Sequence, residues 1–253
     1  MKKFFLPLLA TVATLEGAHA ESGPFNGFYL GGHIGGTQRP VKTNFPSIDW
    51  TANVKDSAVN KTNKPKGLIY GLYGGYGQTY CGFYWGLEFN LDHDTSRHKA
   101  THPIKTEKRG IETTQYPTKL HTQYQRGVVF GITPRLGTVI NGDNLLYVKF
   151  GLEMSRDKNE VHHEWVEVNR HGYVIPGSGA SKKVSTSKTH YVFVPGIGYE
   201  RAFGKVLGRL EYNYNVGAKV KTPCLVANAM TKDTPATLHY SAHVIKAGLA
   251  YKF

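Results

Sequence analysis

The stretch that most restricts the fold is the final one, Ala242 to Phe253, reading AHVIKAGLAYKF. Successive side chains of an extended strand point to opposite faces. Ile245, Ala247, Leu249, Tyr251 and Phe253 therefore share a face that is apolar and aromatic at its tip. Val244, Lys246, Gly248, Ala250 and Lys252 share the other, which carries both lysines. Such a strand suits the edge of a soluble sheet. It suits equally a wall with hydrocarbon on one side and a polar lumen on the other.

The amino terminus separates the two. Lys2 and Lys3 precede the apolar run Phe4–Leu15, and Ala18-His19-Ala20 gives an A-x-A cleavage pattern. Residues 1–20 read as a cleaved secretory signal, too short and too polar at its end to be a spanning helix. Residues 21–253 are then one domain's worth of chain. No other segment supplies the ~20 apolar residues of a membrane helix. An exported chain ending on a two-faced strand points to an all-β outer-membrane barrel, in which only alternate strand residues meet lipid. The 29 glycines and 16 tyrosines fit strands relieved by glycine and girdled by aromatics.

The same alternation recurs along the chain. Phe28–Gly36 sets Phe28, Leu30 and Ile34 against Tyr29 and His33, and Gly67–Tyr80 sets Leu68, Tyr70, Leu72 and Tyr76 on one face. Phe83–Asp92 alternates Phe83, Trp85, Leu87, Phe89 and Leu91 with Tyr84, Glu88, Asn90 and Asp92. A fourth strand is expected over Gln123–Val139, with Pro134 marking a bulge or a strand end. A fifth covers Leu145–Ser155, a sixth Tyr191–Glu200, a seventh Arg209–Val216, and the terminal strand is the eighth. An even count of antiparallel strands puts both termini on one side. The connections near Cys81-Gly82, Ile140–Asn144 and Ala202–Lys205 are tight, whereas those at about 37–66, 93–122, 156–189 and 218–237 are long and polar. Short periplasmic turns and four long extracellular loops are the expected arrangement. Cys81 and Cys224 then lie at opposite ends of an apolar band ~25 Å tall. A disulfide needs Cα atoms within about 7 Å, so two free thiols are expected.

The polar face of these strands gathers Glu88, Lys149, Glu153, Glu200, Arg209, Glu211 and Lys246. An eight-stranded interior is just wide enough to be filled by side chains. Charges survive there only when paired, so these residues are expected to form carboxylate–cation networks that plug the lumen. A narrow gated pore is the alternative. Without Lys2, Lys3 and Glu16 the formal charge changes from +13 to +12, concentrated in the long loops. Lys61, Lys64, Lys66, Lys105, Lys108, Arg109, Lys182 and Lys183 are the candidate contacts to a polyanion, such as lipopolysaccharide phosphate or a host surface glycan. Nucleic acid is not an expected partner of an exported chain.

Histidines gather in two of these loops, His93, His98, His102 and His121 in one and His162, His163 and His171 in the next. Imidazoles can ligate a metal or haem iron, so a haem- or ligand-binding barrel stands as an alternative beside the pore; only His162-His163 are close in sequence and the usual ligand spacings are missing, so neither metal nor cofactor is expected. His239 and Ser241 share a strand face, a base beside a hydroxyl, as in a lipid A deacylase. No orienting carboxylate stands nearby in sequence, so no catalysis is expected.

The opening FNGFYLGGHIGG at 25–36, Trp85-Gly86-Leu87-Glu88, and the ending Gly248-Leu249-Ala250-Tyr251-Lys252-Phe253 resemble the small eight-stranded outer-membrane proteins of proteobacteria. That group includes the transmembrane part of outer membrane protein A, the opacity proteins and alphaproteobacterial surface antigens. The resemblance implies an outer-membrane barrel, often a surface antigen or adhesin, sometimes important for envelope integrity; a monomer or weak oligomer is expected. It implies contact with outer-membrane lipid, lipopolysaccharide and the barrel assembly machinery, with Tyr251 and Phe253 as the assembly signal. With the chain ending at Phe253, no peptidoglycan-binding domain is expected beyond the barrel.

Overall fold

The computed structural model describes residues 23–45, 49–51, 54–56, 59–103, 106–108, 114–168, 173, 175–177, 179–222 and 236–253. Among them there is no helix. The signal at 1–20, Cys224, Lys105, Arg109 and His171 lie outside the described residues.

Eight long strands form the body: β1 Gly27–Gln38, β2 Lys66–Tyr80, β3 Phe83–Asp94, β4 Val128–Ile140, β5 Asn144–Val168, β6 Ala180–Phe203, β7 Val206–Thr222 and β8 Ala236–Lys252. Each pairs antiparallel with the next, and β1 pairs with β8 from Tyr29↔Lys252 to Gln38↔His243, so the path returns to its first strand. Alternation sets the two surfaces. On β5, Leu146, Val148, Phe150, Leu152 and Met154 are exposed, while Leu145, Tyr147, Lys149 and Glu153 are buried. From Leu146 to Met154 is about 26 Å along a strand, or ~20 Å of height at a tilt of ~40°, close to the ~25 Å apolar band of such barrels. Each of the other seven strands also exposes large apolar residues of matching parity, such as Leu30 and Ile34 on β1 and Leu249 and Tyr251 on β8, so an oily belt surrounds the body.

Tight turns join β2 to β3, β4 to β5 and β6 to β7 at one end. Cys81 and Gly82 both have positive φ, 49° and 80°. A two-residue turn of that kind matches the right-handed twist of the strands it joins. Cys81 is exposed and unpaired there. Tyr251 and Phe253 face outward at this end with their rings edge-to-face.

The other end differs from the expected loops, because much of the polar sequence continues the sheet. β5 and β6 pair without a break from Asn144↔Arg201 to Trp165↔Ala180. A strand at Thr114–Gln125 adds to the free edge of β5, and one at Arg97–Pro103 adds to that. Opposite, Val41–Phe45 pairs with β8 and Val59–Asn63 pairs with Val41–Phe45. Three short strands, Asp49–Thr51, Val54–Asp56 and Thr106–Lys108, make a separate small sheet. The backbone groups of these segments satisfy one another in ladders, which is why polar sequence need not mean irregular chain.

Two local corrections follow from chain geometry. The expected fourth strand, Gln123–Val139, is broken at Arg126-Gly127, and Gln123 belongs to the preceding Thr114–Gln125 strand. Arg126 turns its side chain inward to Glu153, and a Cβ on Gly127 would lie 2.2 Å from the Arg156 carbonyl, so only glycine fits. Pro134 neither bulges nor ends β4: its ladder to β3 runs through Pro134↔Leu87, and the ladder to β5 skips Thr133 and Pro134 and resumes at Arg135 in the same register. Proline lacks one donor, and the strand absorbs that loss. Between β6 and β7 the ladder stops at Gly196↔Asn213, beside Pro195, and β7 shifts register against β8 between Asn215 and Ala218. Beyond that level the main sheet divides into two lobes, one on β5 and β6, the other on β7 and β8, which the small sheet links where Val54–Asp56 pairs with Thr106–Lys108.

Candidate functional site

The lumen is built by residues of one parity. Nearest the tight turns it is aromatic and aliphatic, with Phe25, Tyr84, Tyr147, Leu145 and Leu207 packed together. Above this lies a charged layer. Arg135 donates from Nη2 to Glu200 Oε2 at 2.9 Å and from Nη1 to the Tyr29 hydroxyl at 2.9 Å, and its guanidinium sits 3.9 Å from the Tyr147 ring centroid. Arg209 donates to Glu88 Oε2 at 2.7 Å and to Glu200 Oε2 at 2.9 Å, with its guanidinium 4.0 Å from the Tyr73 ring centroid. Lys149 and the Tyr147 hydroxyl hold the two oxygens of Glu211 at 2.9 and 2.6 Å. Glu88, Glu200 and Glu211 thus balance Arg135, Arg209 and Lys149, and all six are buried. Planar guanidinium forks between carboxylates are the geometry in which buried charge is tolerated.

Further layers continue upward. Lys246 donates to Asp92 at 2.6 Å, and His33 Nε2 lies 2.7 Å from the other Asp92 oxygen. Arg126 and Asn215 hold Glu153 at 2.9 and 3.0 Å, and Arg39 reaches Asp94 at 2.6 Å. The two lobes are pinned at their base by Tyr124 and Tyr240, which both donate to Asp157, at 2.6 and 2.9 Å.

Every lumen residue singled out from the sequence, namely Glu88, Lys149, Glu153, Glu200, Arg209, Glu211 and Lys246, is buried inside the barrel. Arg135, Arg126, Arg39, Asp92, Asp94, Asp157 and His33 complete the set. Arg135 was legible by parity, two steps beyond Thr133 on the Val129 face of β4. Arg39 and Arg126 were not, since both fall in the breaks between strands.

Lys64 and Lys66 are exposed at the start of β2, and Lys183 is exposed on β6. Lys61, Lys108 and Lys182 lie on strands, and their side chains are outside what is described. Lys183 and Lys158 bind Glu160 at 3.2 and 2.8 Å. Hydrogen bonds from Lys158 and then Lys183 hold the Glu160 carboxyl below the usual range. His239 and Ser241 share the outward parity of β8 with Ile245, facing away from the lumen.

The structure also joins the two histidine groups that sequence kept apart. Thr101, His121, His162 and Lys183 stand directly opposite one another on four adjacent strands. His121 and His162 stack with centroids 5.7 Å apart, and Glu164 lies 3.5 Å from His121 Nε2 and 3.9 Å from His162 Nδ1.

No curated protein matches this chain. Solved structures that it is similar to include Neisserial surface protein A, with 14% identity over 90% of this chain and 98% of that one and a TM-score of 0.41. The outer membrane protease OmpT from Escherichia coli gives 10% identity over 93% and 99%, with a TM-score of 0.43. Ail of Yersinia pestis, in complex with the heparin analogue sucrose octasulfate, gives 12% over 89% and 99%, with a TM-score of 0.35. Residues 5–253 match the family described as outer membrane protein beta-barrel domain, and together with the oily belt and the charged lumen this makes the chain a member of that outer-membrane β-barrel family.

Proposed function

We propose that this outer-membrane barrel is a surface-interaction protein, with no enzymatic role, whose two lobes face outside and meet anionic groups of the envelope or of a host surface. The observation that carries this reading is the lumen. Its buried, paired charges fill the interior that a barrel of this size has, which favours a plugged lumen and puts function on the lobes beyond the oily belt. Lys64, Lys66, Arg97, Lys99 and Arg156 are exposed there. Summed charge of this kind attracts phosphate or sulfate with strong salt dependence.

Two measurements test it. Purified protein in planar bilayers should give no steady channel, and a stable conductance would overturn the plugged reading. Binding to heparin and to lipopolysaccharide, each at low salt and at 0.5 M salt, separates a sulfated glycan from a lipid phosphate as the source of the anion. Salt-sensitive binding to at least one, weakened when Lys64, Lys66 and Lys99 are changed together to Gln, is the expected result. No binding to either would refute it.

A further inference from the structure

We infer that His121, His162 and Glu164 form a site for a divalent transition-metal ion of the zinc class, on the outward face of the lobe built on β5 and β6. Two imidazoles and a carboxylate are a donor set that zinc accepts, with a fourth position left open. One ligand atom from each residue falls within 4.8 Å of the other two. Metal–ligand bonds of about 2.1 Å in a tetrahedron place ligand atoms ~3.4 Å apart. The contacts of Glu164 to His121 and His162, 3.5 and 3.9 Å, are already near that spacing, and small side-chain rotations bring in the third pair.

Three features distinguish this from a chance His–Glu contact. First, the scaffold is a continuous ladder: His121 pairs directly with His162, and Glu164 is two residues further along the same strand face. Second, Thr101 Oγ1 lies 2.9 Å from His121 Nδ1. That bond occupies the ring nitrogen not needed for the metal and aims Nε2 at Glu164, as outer hydrogen bonds do for metal-binding histidines. Third, His121 and His162 line a cleft of about 280 Å³ with Lys99, Thr101, Gln123 and Lys183, which gives an ion a route in and room for water or an anion at its open position. Glu160, although in the same cleft, is held by Lys158 and Lys183 and is not counted as a ligand. The inference does not depend on what the lobes bind.

The test is calorimetric titration of ZnCl₂ into untagged, chelator-stripped full-length protein folded in detergent, with heat-modifiable gel mobility as the check on folding. Wild type should bind one tight equivalent. His121→Ala, His162→Ala and Glu164→Gln should each weaken that equivalent at least 100-fold. Thr101→Val should weaken it by about 10-fold, the usual effect of removing an outer hydrogen bond. His239→Ala should leave it unchanged. Co²⁺ added to wild type should give a tetrahedral ligand-field absorption band, which requires no variant to fold. No saturable equivalent, or one that survives loss of both His121 and His162, would overturn the assignment.

Discussion

Arg135→Met is the sharpest probe of the lumen. Arg135 is fully buried and lies against Glu200, Glu88 and Tyr29. Removing it leaves three buried carboxylates against two cations. Breaking one side of a buried ion network costs about 3–5 kcal/mol, a loss of two to three and a half powers of ten in the folding equilibrium. Glu200→Gln alone should cost a similar amount, through an excess cation. The double variant is neutral again, and its cost should fall short of the two single costs added together by at least ~2 kcal/mol, a coupling that only contacting groups show. Arg135→Lys keeps the charge but loses the fork between Glu200 and Tyr29, and should lie between wild type and Arg135→Met. The assay is reversible urea unfolding in phospholipid vesicles, followed by tryptophan fluorescence and heat-modifiable mobility. An Arg135→Met cost under about 1 kcal/mol, or strict additivity in the double variant, would show that this layer does not hold the barrel together.

The oily belt gives a depth-dependent expectation on β5. Phe150→Arg, at mid-belt, should cost ~2–4 kcal/mol in vesicles, whereas Leu146→Arg or Met154→Arg at its margins should cost ~0–1 kcal/mol; equal costs would misplace the belt. In a Cys224→Ser background, a membrane-impermeant maleimide should label Cys81 in permeabilised cells and leave it unlabelled in intact ones, since Cys81 is exposed in a tight turn. Labelling of intact cells would reverse the orientation. Alkylation of the natural protein without reductant should add two labels by intact mass, and none would mean a disulfide.

The sequence could reveal the wall but not the wiring. Tyr147, Lys149, Gly151 and Glu153 share a face because any strand alternates, so the lumen side of β5 was legible before any partner was known. That Lys149 meets Glu211, or that Arg209 lies between Glu88 and Glu200, depends on strands up to 121 residues apart being brought around a common axis. The missed residues have the same explanation. Arg126 and Arg39 sit where strands stop, and where parity stops predicting direction.

The polar segments show the boundary most clearly. Read locally, 156–189 has no apolar face and looked like loop, because periodicity detects a strand only when its two sides meet different surroundings. Beyond the oily belt both sides are polar, so the ladder of Arg156↔Thr189 to Trp165↔Ala180 left no pattern in the residues. The sequence by itself determined a two-faced barrel with an oily exterior, a charged interior and tight turns at one end, since each is a consequence of alternation and turn chemistry. Only the tertiary structure decided the strand register, and with it the neutral Glu–Arg layer, the split into two lobes and the meeting of His121 with His162. Register is a relation between distant strands, fixed when the whole wall pairs at once.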